Sequence, residues 1–268
     1  MRQDASRQAP LLTVTSHGLT DAGRCRQCNE DCLLLDDGLG LYVVADGMGG
    51  HQGGDVAARL TVRVMHTHLM RARAAGVTGA VGERQHLPGA ADLSPVARDV
   101  RAAIQAANLA VKTAAQENPD LEGMGSTVAA AYLHKQVLVA ANVGDSPIYL
   151  LRGGVLRLLS VPHTVAAEQG ARVKTLPAPL QEQLSHMLTR AVGTREAVEA
   201  DFFETIPRSG DVLLLCTDGL TGKVADAELQ AVLEAHPPRE ACDTLVRLAL
   251  ERGGEDNITC LVLQLQAA

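Results

Sequence analysis

Aromatic residues are scarce: Trp is absent, and two Phe with three Tyr bring their share to 2% of 268 residues. A core without large rings must be packed from Val, Leu and Ala, and a hydrophobic content of 46% provides them. Long apolar runs are missing as well. No stretch reaches the ~18 residues of a membrane span, and the N-terminal MRQDASRQAP carries no apolar signal-peptide core. A soluble cytoplasmic protein with no membrane partner is expected, in which Cys25, Cys28, Cys32, Cys216, Cys242 and Cys260 stay reduced. Basic charge is also in deficit. A formal net charge of −7 argues against nucleic acid as a partner, because counterion release from phosphates needs a cationic surface.

Repeats and low-complexity linkers are likewise absent, and hydrophobic patterning continues to Leu265, so residues 1–268 read as a single domain. Short apolar runs bounded by Gly, Asp or Asn predict strands over Leu11–Ser16, Leu39–Ala45, Thr127–Leu133, Gln136–Asn142, Ile148–Leu151, Asp211–Cys216 and Ile258–Leu265. Several are almost continuously apolar, as strands covered on both faces are. Apolar residues recurring every three or four positions predict helices over Gly54–Ala74, Pro95–Gln116, Asp226–Ala235 and Arg239–Arg252. Strands and helices are grouped instead of alternating, which favours a layered α+β architecture. Gly76–Ser94 and about 165–187, with Pro177 and Pro179, read as irregular segments.

What the chain does have is aspartate at the ends of apolar runs. LYVVA leads into Asp46-Gly47-Met48-Gly49-Gly50-His51, VLLLCT into Asp218-Gly219, and VLVAANV into Gly144-Asp145-Ser146, while Asp256-Asn257 precedes ITCLVLQL. A strand end holds a carboxylate in a defined place, and the adjoining Gly lets the backbone turn and bring a carbonyl near a bound ion. Oxygen-only ligand sets suit hard cations such as magnesium or manganese. Without cations they repel: two unit charges ~4 Å apart cost about 4 kcal/mol at an effective dielectric of 20. Any one Asp-Gly pair is an ordinary turn former; the series of them after apolar strands is not. Upstream, Arg26 precedes Asn29, Glu30 and Asp31. An Arg fork there can hold phosphate while the acids hold metal.

In order, TDAGRCRQCNED, VVADGMGGH, GMGSTVAAA, ANVGDSPIYL, LTRAVG, GDVLLLCTDGL and GGEDNIT resemble the motif series of the metal-dependent protein phosphatases, the type 2C Ser/Thr phosphatases, in their compact bacterial form. The resemblance implies a central antiparallel β-sandwich flanked by helices on both faces, four layers αββα, with residues about 165–187 as the flap. It implies two to three manganese or magnesium ions. Asp46 would bridge two of them with the Gly47 carbonyl as a further ligand; Asp218 and Asp256 would complete the first, Glu30 and Asp31 would serve the second, and Asp145 would help hold a third. Arg26 would bind phosphate, and a metal-activated water would hydrolyse phosphoserine or phosphothreonine. Phosphoprotein substrates, including a Ser/Thr kinase or its targets, and a monomeric enzyme opposing a bacterial kinase are the expected setting. Pro147 and Pro162 depart from the pattern, replacing an Arg and an Asp, and Met48 stands where animal members carry a general-acid histidine; His51 reads as structural.

The rival class is a phosphatase-like binding module without turnover, against which the joint presence of Asp46, Asp218 and Asp256 argues. A small-molecule phosphoesterase on the same site is a third reading. The Cys25, Cys28, Cys32 spacing lacks the second ligand pair of a zinc site.

Overall fold

The structure, a computed structural model, describes residues 12–49, 53–74, 84–86, 93–134 and 136–268. Strands β1 (Leu12–Asp21), β2 (Asp31–Asp36) and β3 (Leu41–Met48) come first, followed by helix α1 (Gly53–Ala74), the short β4 (Arg84–His86) and helix α2 (Pro95–Glu117). Next are β5 (Gly125–Ser126), β6 (Val128–His134), β7 (Val137–Val143), β8 (Ile148–Arg152) and β9 (Val155–Leu158). Helix α3 (Val165–Gln169), a 3-10 turn over Gly170–Thr175 and α4 (Ala178–Ser185) lead to β10 (Asp201–Thr205) and β11 (Val212–Cys216). Short α5 (Asp218–Thr221), α6 (Asp226–Ala235), α7 (Pro238–Glu251) and β12 (Ile258–Ala267) end the chain.

One sheet runs β1-β12-β11-β8-β9, the other β2-β3-β6-β7-β10-β4 with β5 beside β3, and all pairings are antiparallel. Alternation along each strand divides the apolar side chains between layers. On β3, Tyr42 and Val44 enter the space between the sheets, whereas Leu41, Val43 and Ala45 face α1 and α2. On β11, Leu213 and Leu215 point inward, while Val212, Leu214 and Cys216 pack with α6 and α7. The order is thus helix, sheet, sheet, helix, as the resemblance implied, and it explains why the strands read as continuously apolar.

Some expectations need correcting. The segment 165–187 is helical over α3, the 3-10 turn and α4; Pro177 and Pro179 mark the start of α4, where proline is compatible with a helix, instead of breaking structure. Strands β2 and β10 were not expected, because DCLLLD is short and ringed by acids and DFFET contains two acids, one of them, Glu204, in its interior. Glu204 is buried and accepts the Ser94 backbone N–H at 3.2 Å. Strand β1 extends past Ser16 to Asp21. Leu11, Gly50, His51 and most of Gly76–Ser94 lie outside the described residues, and the Arg84–His86 part of that loop pairs with β10.

Candidate active site

The β2–β3 ladder places Asp31 opposite Asp46 and thereby brings Glu30–Asp31 beside Asp46–Gly47. The Gly47 N–H donates to the Glu30 carbonyl at 3.1 Å. A Cβ at Gly47 would sit 1.9 Å from the Gly54 carbonyl oxygen, so the entry of α1 leaves no room for any other residue. Thr127 closes the other side: Asp46 N–H donates to its Oγ1 at 2.9 Å, and its own N–H donates to the Asp46 carbonyl at 2.8 Å.

Asp218 and Asp256 come from the opposite sheet, after β11 and before β12. A Cβ at Gly219 would lie 2.0 Å from the Asn257 carbonyl oxygen, so the two acidic turns are interlocked. Asn257 also clamps the Arg26 loop. Its Nδ2 donates to the carbonyls of Ala22 at 2.9 Å and Cys28 at 3.0 Å, and its Oδ1 accepts the Glu30 N–H at 2.8 Å. Behind them, Thr217 Oγ1 donates to Asp31 Oδ2 at 3.0 Å and accepts the Thr259 N–H at 3.0 Å, joining the two sheets beneath the site.

Asp145 follows β7 through Gly144, whose φ of +94 and contact with Thr127 suit only glycine. The Gly144 N–H donates to His163 Nδ1 at 3.1 Å, which leaves the imidazole proton on Nε2, 3.4 Å from Asp201 Oδ2. The carboxylate beside His163 therefore comes from Asp201 and not from position 162. Arg190 Nη1 donates to Asp201 Oδ1 at 3.0 Å. Although burial opposes it, hydrogen bonding from His163, with Arg190 beside it, holds the Asp201 carboxyl below its usual range. Pro147 stands just before β8, and its carbonyl accepts the Cys216 N–H at 3.2 Å.

These pieces surround a cleft of about 870 Å³ lined by Arg26, Glu30, Asp46, Gly47, Asp145, Asp218 and Asp256. Asp31 is buried just below its floor. Burial, reinforced by neighbouring carboxylates, pushes Asp46 and Asp218 upward; burial outweighs the opposing Arg26 charge at Glu30. Desolvation takes Asp145 up to about 7, with Asp218 adding to it, and takes Asp31 to about 7 against the hydrogen bonds from Thr259 and Thr217. Among the described residues, no three of these side chains stand ready-made at metal-ligand spacing. Two meet basic side chains instead: Asp256 Oδ2 lies 2.9 Å from Arg26 Nη2, and Asp218 Oδ2 lies 3.3 Å from His186 Nδ1. Asp31 Oδ1 is buried with no hydrogen-bond partner among the described residues. An orphaned carboxylate oxygen below a cleft of like-charged oxygen donors fits a hard divalent cation.

Sequence reasoning missed His186, Thr127, Thr217 and Asn257. Thr217 and Asn257 each adjoin an expected aspartate, the only local signal available; His186 sits at the end of α4 and carries none.

Residues 22–256 match the sequence profile of the family described as Protein phosphatase 2C. The serine/threonine phosphatase stp of Listeria monocytogenes is 35% identical over 253 residues, covering 91% of this chain and 93% of that one. Among solved structures, PppA, described as a key regulatory component of T6SS in Pseudomonas aeruginosa, has a TM-score of 0.76 at 32% identity over 94% of this chain and 97% of its own. The catalytic domain of the phosphatase PstP, solved in complex with 2 manganese ions, has a TM-score of 0.78 at 30% identity over 96% and 100%.

Proposed function

Since the chain belongs to the protein phosphatase 2C family and is a metal-dependent protein-serine/threonine phosphatase, we propose that its cleft hydrolyses phosphoserine and phosphothreonine with the residues described above. Asp46 and the Gly47 carbonyl, Asp218 and Asp256, and Glu30 with Asp31 would hold two manganese or magnesium ions, and Asp145 would contribute to a third. Ions bound there would supply positive charge for the phosphoryl oxygens and lower the pKa of a water toward neutral pH. Arg26 exchanges its contact with Asp256 for a bidentate grip on the phosphoryl group, which orients phosphorus for in-line attack. Thr217 fixes Asp31 by occupying Oδ2 and leaving Oδ1 free. Asn257 holds the Arg26 loop against Asp256, so phosphate and metal groups keep one register.

The observation that carries this reading is the convergence of carboxylates from both sheets on one cleft, where burial and neighbouring carboxylates push Asp46 and Asp218 upward together. Phosphoprotein substrates follow from the activity, and each requires a kinase to have placed the phosphate. The finer setting we propose is a single catalytic domain, monomeric and cytoplasmic, opposing a Ser/Thr kinase. Among the described residues no helix is long and apolar enough to cross a membrane. The test is manganese-dependent release of phosphate from phosphothreonine peptides, with metal binding followed by calorimetry. Asp218→Asn should abolish turnover and weaken binding of one ion; metal-loaded wild type without turnover on any phosphopeptide would overturn the proposal.

A further inference from the structure

Beyond Arg190 the chain makes a turn that borders the catalytic cleft with Thr194 and Arg195. Two anchors hold it there. Val192 pairs with Ser126 in both directions, its N–H donating to the Ser126 carbonyl at 2.8 Å and its carbonyl accepting the Ser126 N–H at 3.0 Å. Asn108, buried on α2, forms the other anchor. Its Oδ1 accepts the Gly193 N–H at 2.8 Å, and its Nδ2 donates to the carbonyls of Arg195 at 3.0 Å and Glu196 at 3.3 Å. Gly193 has a φ of +91, and a Cβ there would lie 2.3 Å from Val111 Cγ1, so the turn is pressed against α2. While its carbonyl is tied to α2, Arg195 is exposed at the cleft rim.

The arginines around this cleft differ in what balances them. Arg26 Nη2 lies 2.9 Å from Asp256 Oδ2, and Arg190 Nη1 lies 3.0 Å from Asp201 Oδ1. Glu196, the acid next to Arg195 in sequence, is taken by Lys112. The Arg195 side chain has neither a hydrogen bond nor an ion pair among the described residues. In a chain of net charge −7, an unbalanced guanidinium beside a phosphate site awaits an anion that the protein itself does not supply. Arg26 already serves the reacting phosphoryl group, which leaves a second anion on the same substrate. Resting on the hydrolytic reading above, we propose that Arg195 determines specificity: it selects phosphoproteins that carry an aspartate or glutamate within three residues of the phosphoserine or phosphothreonine, by pairing with that carboxylate. Its planar fork matches the two carboxylate oxygens. An extended peptide advances ~3.3 Å per residue, so three residues span about 10 Å, comparable with a cleft of about 870 Å³.

The test uses phosphothreonine peptides with alanine flanks, and variants carrying one glutamate or one lysine at each of the three positions on either side. The manganese-loaded full chain hydrolyses them. At its best position glutamate should raise kcat/KM about three- to fivefold over alanine, the worth of an exposed ion pair. The gain should lie in KM with kcat unchanged, because the pair forms in bound substrate and transition state alike, and added salt should erode it. Arg195→Gln should bring the glutamate-to-alanine ratio to one or below, and Arg195→Glu should move the preference to the lysine peptide. Because the side chain is exposed, both variants should fold as the wild type does. A ratio of one in the wild type, a glutamate preference that survives Arg195→Gln, or an equal loss on every peptide, which would place Arg195 on the reacting phosphoryl group, would each overturn this proposal and leave the hydrolytic reading standing. Absence of turnover on every peptide would overturn both.

Discussion

Along one wall of the catalytic cleft, Glu30, Asp46, Asp218 and Asp256 stand at or beside the ends of β2, β3, β11 and β12, with Asp31 buried beneath them; along the other, His186, Leu188 and Thr189 follow α4 in the segment between β9 and β10. The first wall is interlocked through backbone. Gly47 and Gly219 approach neighbouring carbonyls too closely for a side chain, and Thr217 and Asn257 tie the two sheets and the Arg26 loop together. The second wall is joined more sparsely: Val165 donates to the Met187 carbonyl at 2.9 Å, Thr189 to the His163 carbonyl at 2.9 Å, and no residue of α3 or α4 is buried. Groups that must share ions need fixed separations, whereas a surface that receives many phosphopeptides profits from looseness.

The sharpest way to break this contrast is Gly47→Ala. Its methyl group collides with backbone, so stability should fall by at least about 2 kcal/mol and turnover should drop to background, read by thermal melts and phosphopeptide hydrolysis. Wild-type behaviour of that variant would make the first wall as tolerant as the second. Next in size is Arg26→Lys. Its side chain is exposed, so folding should be untouched, while loss of the bidentate fork lowers kcat/KM by about 10- to 100-fold.

A gentler probe of the first wall is pH. Asp31 and Asp145 have folded values of about 7, above the ordinary 3.8, so the folded state binds protons more tightly than the unfolded. The stability this provides is complete below 3.8 and is lost as pH rises through about 7. In a chelator, the melting temperature should fall between pH 5 and pH 8, and manganese should flatten the slope; a flat profile in the chelator would remove the electrostatic argument. The smallest effect belongs to the second wall. His186 is 64% exposed and only 3.3 Å from Asp218, so His186→Ala should leave the melt unchanged and alter KM for phosphopeptides by at most about fivefold.

Much of the first wall was legible before folding. Asp46, Asp218 and Asp145 follow apolar runs and adjoin Gly, and both signals are local in sequence. Less of the second wall was legible, because Pro177 and Pro179 are equally at home in a loop and at a helix start, and His186 has no flanking pattern. The supporting hydroxyls were hidden for another reason. Thr217 is one threonine among many until its partner, Asp31, arrives from 186 residues away.

By itself, then, the order of residues determined the strand ends that bear carboxylates, the two-sided apolar strands and hence a layered α+β architecture, since backbone preference and side-chain period act over a few neighbouring positions; the order of the four layers came from the resemblance. Tertiary structure alone decided that Asp31 sinks beneath the cleft, that Arg26 meets Asp256, and that Asp201 replaces the acid missing before His163. Desolvation and Coulomb forces depend on which groups packing brings together, and no stretch of chain carries that information until the sheets have closed on one another.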